Sequence, residues 1–320
     1  MIRSKASYAT TVAALAMACA ALAQRPTPVD PATTHKIPDF TIPPVKPGAA
    51  YERFIAIGDM GSGNDDQKKV AAAMALRAAK EKIAFILTTG DNIYPKGVQS
   101  VGDPQWKSKF EDVYSDPALR IPFYPSLGNH DHYGNPAAQV EYASVNPNWR
   151  MSAPYYAFTR TLADGTEIQF IALDTEPIVQ EQNTVDAQLK WLDETLEASK
   201  ARWRIVYGHH PLYGHNPKRG NNAIMIARVE PILVKQHVDL FVAGHDHSLE
   251  MNKPVKGVHH VISGAGGGAD WAYPVNWTDE SYYVATLGGF TEFRVVHDEI
   301  VIAFVRLDGK TQYAYTVTKS

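Results

Sequence analysis

Ile83-Ala84-Phe85-Ile86-Leu87-Thr88-Thr89-Gly90-Asp91-Asn92 is a short apolar run that stops on a glycine and a carboxylate. Uninterrupted runs of this kind mark strands buried on both faces. The pattern recurs along the chain. Phe54–Ile57 precedes Gly58-Asp59, and Phe123–Leu127 precedes Gly128-Asn129-His130-Asp131. Arg204–Tyr207 precedes Gly208-His209-His210-Pro211, and Val238–Ala243 precedes Gly244-His245-Asp246-His247. Loops at the carboxyl ends of strands in an α/β sheet converge on one crevice, so residues distant in sequence become neighbours. A Gly-Asp pair alone is ordinarily a turn. Together these placements point to a site, with each glycine expected to let the chain turn sharply off its strand.

Working outward, Ile121–Leu127, Ile168–Leu173, Val258–Ile262, Phe290–Val296 and Ile300–Val305 also read as strands. The last two are separated by His297-Asp298-Glu299, which fits an antiparallel hairpin and argues against a purely parallel sheet. A helix is expected over residues 65–80, opened by a capping box of Asn64 and Gln67, with Val70 and Met74 on its buried face. Leu189, Leu192 and Leu196 form the stripe of a second helix over 186–198. A third, over 224–236, contains Pro231 and should begin or kink there. Strands interleaved with helices make an α/β layered domain.

The bulk properties limit the function. In 320 residues, 31 Lys and Arg against 34 Asp and Glu give a formal charge of -3, with no dense basic run. Nucleic acid and anionic membranes are therefore not favoured partners. Residues 1–23 read as a secretory signal: Arg3 and Lys5, an Ala/Leu/Val run, then Ala21-Leu22-Ala23 as the cleavage site. The run is short and Ala-rich for a membrane span, although a tethering helix is the competing reading, and lipid attachment at Cys19 a further one. Cys19 is the sole cysteine, so a processed chain has no disulfide. Residues 24–50 carry seven prolines and read as an extended arm, leaving 51–320 as the globular domain. Export to the periplasm or medium is the expectation.

At the strand ends, Asp59, Asp91, Asn129, His209, His245 and His247 are candidate metal ligands. In an extended segment, His245 and His247 would point to one side, because side chains repeat every two residues. A carboxylate can bridge two cations that otherwise repel each other, and Asp91 is assigned that role. An amide oxygen with several imidazoles suits transition metals and argues against calcium.

These segments match the metallophosphoesterase signature. Gly90-Asp91-Asn92-Ile93-Tyr94 and Gly128-Asn129-His130-Asp131-His132 resemble the small, mammalian-type purple (tartrate-resistant) acid phosphatases. The likeness extends to Gly97, Phe110–Asp116, Asn135–Gln139, Ile262–Gly266 and Leu287–Phe290, and covers nearly all of 51–315. It implies a four-layer metallophosphoesterase fold, two mixed β-sheets flanked by helices. It further implies a binuclear centre: Fe(III) on Asp59, Asp91, Tyr94 and His247, and divalent Fe, Zn or Mn on Asp91, Asn129, His209 and His245. Tyr94 discriminates, because a phenol stays deprotonated on a trivalent ion far more readily than on a divalent one.

The implied activity is hydrolysis of small phosphomonoesters or phosphoanhydrides by metal-activated water, with an acidic optimum. A phosphodiesterase or nucleotide pyrophosphatase could use the same centre, and a non-catalytic metal- or phosphate-binding protein is a third reading. His130 is the candidate proton donor to the leaving oxygen, with Asp131 orienting its ring. His215 is the nearest counterpart of the family's second helper histidine, at a shorter spacing from His209. His210 reads as support for the ligands. Gly264–Gly268 is either a phosphate cradle or a strand exit. His132, Tyr133, Trp271 and Trp277 could line a substrate mouth, and Asn276-Trp277-Thr278 is a glycosylation sequon. The segment between Thr175 and Asp186 is short where the animal enzymes carry a protease-sensitive loop, and their cysteine pair is missing.

Overall fold

The computed structural model describes residues 40–268 and 278–319. The signal, Cys19, the arm up to residue 39, Trp271, Asn276 and Trp277 lie outside the described residues. The strands are β1 (Glu52–Ile57), β2 (Ile83–Thr89), β3 (Phe123–Ser126), β4 (Tyr156–Thr161), β5 (Glu167–Ala172), β6 (Trp203–Tyr207) and β7 (Leu240–Ala243). They continue with β8 (Leu249–Asn252), β9 (His259–Ser263), β10 (Ser281–Ala285), β11 (Gly289–Val295), β12 (Glu299–Arg306) and β13 (Thr311–Thr318).

Two mixed sheets result. One runs β13-β12-β11-β1-β2-β3, with β1, β2 and β3 parallel and the other pairings antiparallel. The other runs β10-β8-β9-β7-β6-β5-β4, with β5, β6, β7 and β9 parallel at its centre. The sheets pack face to face through aromatic side chains. Phe54 is stacked between Phe85 and Phe293, at 5.0 and 4.7 Å, and meets Phe170 of the opposite sheet edge-on at 5.2 Å. Full burial of such a ring contributes about 1.5–3 kcal/mol. Near the site the seam turns polar: Ser263 Oγ donates to Ala56 O at 2.8 Å and Thr291 Oγ1 to Ser263 Oγ at 3.0 Å.

Helix Asp65–Lys80 covers the first sheet through Val70 and Met74. Helix Val185–Glu197 lays Leu189, Leu192 and Leu196 against Val206 and Phe241 on the outer face of the second. Helix, sheet, sheet and helix make the four-layer arrangement implied above.

Local details differ from the sequence expectations for identifiable reasons. Asn64 caps its helix by accepting Gln67 N at 2.9 Å, but Gln67 Oε1 reaches Gly63 N at 2.7 Å instead of Asn64 N, so the box is only half made. The third helix is two, Ala223–Arg228 and Glu230–Lys235, because Pro231 has no N–H to continue the first. Residues 40–50, read as the end of the arm, are held to the domain. Phe40 N donates to Thr311 O at 2.9 Å, its ring meets Tyr313 edge-on, and Arg294 Nη1 donates to Pro43 O. Among the described residues no helix is long and apolar enough to cross a membrane.

Candidate metal centre

Each sheet contributes half of the site. Asp59, Asp91 and Asn129 follow β1, β2 and β3, while His209 follows β6 and His245 and His247 follow β7. The turns off the strands are taken largely by the candidate ligands themselves: Asp59, Asp91 and His245 have φ of 54, 51 and 66°. Non-glycine residues rarely occupy this left-handed region, and such strain gathers at functional sites. The glycines before them serve mainly close approach, which corrects the expectation that they exist to turn the chain. A Cβ on Gly128 would lie 2.2 Å from Asp91 Oδ1; only Gly90 also has positive φ, at 83°, with His209 Nδ1 2.7 Å from its virtual Cβ. Nor do His245 and His247 alternate along an extended segment as expected. His245–Ser248 is a bend, not extended chain, so both imidazoles reach the site through a tight turn instead of strand alternation.

The side chains fall into two groups that meet at Asp91. In the first, Tyr94 Oη lies 3.1 Å from Asp59 Oδ1 and 3.3 Å from His247 Nε2, which is 3.4 Å from Asp59 Oδ1. In the second, His209 Nε2 lies 3.0 Å from Asn129 Oδ1, 3.1 Å from His245 Nδ1 and 3.5 Å from Asp91 Oδ1. Ligand atoms of Asp59, Asp91 and His209 all lie within 4.8 Å of one another, which ties the groups together.

Hydrogen-bond accounting shows why a cation fits. His209 Nδ1 sits 2.8 Å from Thr89 O, an acceptor, so Nδ1 carries a proton and Nε2 points inward. There it faces an amide oxygen, a carboxylate oxygen and an imidazole nitrogen. A proton on Nε2 could serve only one of them; a metal serves all. Burial opposes charge on His209, yet Asp91 and Asp59 outweigh it and raise its pKa. Burial, with His209 and His210 adding to it, drives His245 well below the ordinary imidazole value, keeping it neutral as a ligand must be. Burial, Asp59 and Asp91 hold the Tyr94 phenol well above its usual pKa, so a metal that takes Tyr94 must displace its proton.

The neighbours have definite partners. His130 Nδ1 lies 2.7 Å from Pro95 O and must donate to it, leaving Nε2 without a partner among the described residues; the ring packs between Tyr94 and the exposed Tyr133. Asp131 does not orient that ring, contrary to expectation. Its buried carboxylate accepts from Asn92 N at 3.0 Å, Gly128 N at 2.9 Å, Ile93 N at 3.2 Å and Gln139 Nε2 at 2.7 Å. Burial and Asp91 push it up to about 6 against those donors. Asp131 thus clamps the loops of Asp91 and Asn129 together. His215 has both nitrogens engaged, Nδ1 with Glu250 Oε2 and Nε2 with Thr278 Oγ1, each at 2.9 Å, so it presents no free nitrogen to the ligands.

His210 sits beside His245, with ring centroids 4.4 Å apart. Thr175 Oγ1 accepts the amides of His209 and His210, so its hydroxyl proton goes to His210 Nδ1 at 2.9 Å and occupies the lone pair there. His210 Nδ1 is thereby occupied and Nε2 lies 3.5 Å from Glu176 Oε2, although His209, His210 and His245 each bring a ring nitrogen within 4.8 Å of the others, a grouping that could itself hold a metal ion. The amides of Gly264, Gly266 and Gly268 are taken by the carbonyls of Ser248, Gly58 and Asp59, which makes this stretch a strand exit, not a phosphate cradle.

Residues overlooked in the sequence include Asp174, which binds His132 Nε2 at 2.8 Å, and Arg219, which reaches Asp246. Asp174 carried a signal, since it too follows a strand. Arg219 carried none.

Residues 52–249 match the family of calcineurin-like phosphoesterases. The chain belongs to this metallophosphoesterase family. Within it, tartrate-resistant acid phosphatase type 5 of Oryctolagus cuniculus is 30% identical over 83% of this chain and 91% of its own. Purple acid phosphatase 17 of Arabidopsis thaliana is 30% identical over 83% and 84%. Among solved structures, GAP50, described as the anchor in the inner membrane complex of Plasmodium, superposes with a TM-score of 0.76 at 26% identity, covering 85% of this chain and 90% of that one. A purple acid phosphatase from yellow lupin seeds shares the fold, with a TM-score of 0.65 at 16% identity over 86% and 55%.

Proposed function

We propose that this protein is an exported acid phosphatase that hydrolyses small phosphomonoesters at a ferric–divalent centre. The observation that carries the reading is the pair of converging ligand groups joined at Asp91, one of them containing a phenol. Asp59, Asp91, Tyr94 and His247 would hold Fe(III); Asp91, Asn129, His209 and His245 would hold Fe, Zn or Mn as the divalent ion. Such a pair supplies Lewis acidity to phosphoryl oxygens and acidifies water, which keeps a nucleophile available at low pH. The chain supplies the rest. Asp91 places negative charge between the two positions, and the clamp at Asp131 fixes the distance between their loops. Pro95 O fixes the His130 tautomer and leaves Nε2 as the position from which a proton would pass to the leaving oxygen.

Metal analysis with a visible spectrum, together with rates on an aryl monophosphate and a bis-aryl phosphate, tests this. The expected results are one iron and one further metal per chain, a violet band absent in Tyr94→Phe, an acidic rate maximum, and preference for the monoester. A colourless zinc or manganese enzyme would sink the ferric assignment, and a faster diester rate would sink the monoesterase one. A second reading, a scaffold that binds without turnover, draws on the likeness to an anchor protein. Metal-replete protein inert toward every phosphoester would favour it.

A further inference from the structure

Residues 212–222 form a loop closed on itself at the neck, where Asn222 N donates to Leu212 O at 2.9 Å. Within it, Asn216 O accepts from Arg219 N at 3.1 Å and Gly220 N at 2.8 Å, Asn216 Oδ1 accepts from Lys218 N at 3.0 Å, and Asn221 Oδ1 accepts from Gly214 N at 3.3 Å. The loop is therefore preorganised before it touches the ligands. It then grips the His245-Asp246-His247 turn from both sides. A Cβ on Gly214 would stand 2.5 Å from Asp246 Oδ2, while Arg219 Nη1 lies 3.1 Å from Asp246 Oδ1 and also donates to the main-chain oxygen of His245. Asp246 is fully buried, and its Oδ2 has no hydrogen-bond partner.

Resting on the metal-dependent reading above, we propose that Arg219 is a positioning residue for the metal centre. It ties down the turn that carries two ligands, one of which, His245, is held in a left-handed backbone conformation. Such a conformation persists only when the surroundings over-determine it. The anchors here are His245 N on Asp59 Oδ2, at 2.8 Å, and His245 O on Arg219. Asp246 is the second grip: Asp59 and Glu250 are buried acids of the same region, and Arg219 is the guanidinium that meets Asp246. Removing the guanidinium takes away the donor shared by buried Asp246 Oδ1 and His245 O, beside two candidate ligands, and frees the turn to relax. Neither outcome needs the loop or the sheets to unfold, because the Arg219 side chain is 42% exposed.

The test compares wild type, Arg219→Met, Arg219→Lys, Asp246→Asn and the Arg219→Met/Asp246→Asn double variant. Metal-free proteins are titrated with Zn(II) by calorimetry, melts of the metal-free forms report folding, and loaded forms are assayed for turnover. Arg219→Met is expected to melt close to wild type, to bind zinc about tenfold or more weakly, and to recover part of that loss as Arg219→Lys. In the Asp246→Asn background the same substitution should cost less, the coupling expected of partners. Unchanged zinc affinity in Arg219→Met overturns the assignment, as does a wild type that takes up no zinc; an equal loss in both backgrounds would support it with His245 O as the sole grip. Zinc uptake without phosphoester turnover by wild type would defeat the proposed function while leaving the role of Arg219 standing.

Discussion

Asp131 shows what a single side chain can decide here. The candidate ligands Asp91 and Asn129 sit on separate loops, and the Asp131 carboxylate collects amides from both, with Gln139 as a further donor. An asparagine has the same shape but turns an NH2 toward one of those N–H groups. Asp131→Asn should therefore cost about 2–3 kcal/mol, the penalty for buried donors left unsatisfied. Urea denaturation of the metal-free protein measures it, and a loss under about 0.5 kcal/mol would show that the clamp is slack. At this scale the sequence specifies residue types better than it specifies their partners. The metal-ligand candidates were legible because each polar residue follows an apolar run. Asp131 was visible but assigned to the wrong neighbour, since adjacency to His130 says nothing of where a carboxylate points from a helical turn. Arg219 was illegible, as its contact depends on how residues 212–222 fold back.

Elements are legible in proportion to how unbroken their apolar runs are. β1, β2, β6 and β7 are central parallel strands, and their sequences are nearly unbroken apolar runs. β4 went unseen because it is an edge strand whose exposed side carries polar residues. β8 went unseen because, though wholly buried, it contains Glu250 and Asn252. β9 carries a cost of its own. His260 is buried with neither ring nitrogen bonded, and burial pulls its pKa down to about 3. The titratable neighbours Glu230 and His259 act in opposite directions on it, and the Tyr213 ring covers it edge-on. An unfolded histidine protonates near pH 6.5. Below that pH the unfolded chain gains a proton that folded His260 refuses, so stability falls as pH drops from about 6.5 to about 3, by up to about 1.4 kcal/mol per unit. His260→Leu should flatten that slope, as read from urea midpoints at pH 7, 5.5 and 4.5. Identical slopes in variant and wild type would mean that His260 protonates freely in the folded state.

For the whole molecule, the important fact is that the candidate ligands are divided between the sheets. Asp59, Asp91, Tyr94 and Asn129 belong to loops of the first, and His209, His245 and His247 to loops of the second. The four-layer arrangement was implied by resemblance, whereas periodicity alone supported only layered α/β structure; no single-strand pattern says which sheet a strand joins. A metal pair bound at this seam therefore cross-links the two halves of the core and binds the folded chain in preference to the unfolded one. Such linkage stabilises by RT ln(1 + [L]/Kd), roughly 4 kcal/mol per site at a thousandfold excess over Kd. For a domain of this size, at about 2 cal/mol/K of unfolding entropy per residue, that corresponds to roughly 7 °C in melting temperature per site. Stripping the protein with a chelator should lower its melting temperature by that order, and metal should restore it in a concentration-dependent way. His209→Ala should lose most of the response, since Nε2 of that residue meets three of the other donors. A melting temperature indifferent to chelator and metal, in protein shown by elemental analysis to gain and lose its ions, would mean that the ions sit at the surface and not at the seam between the sheets.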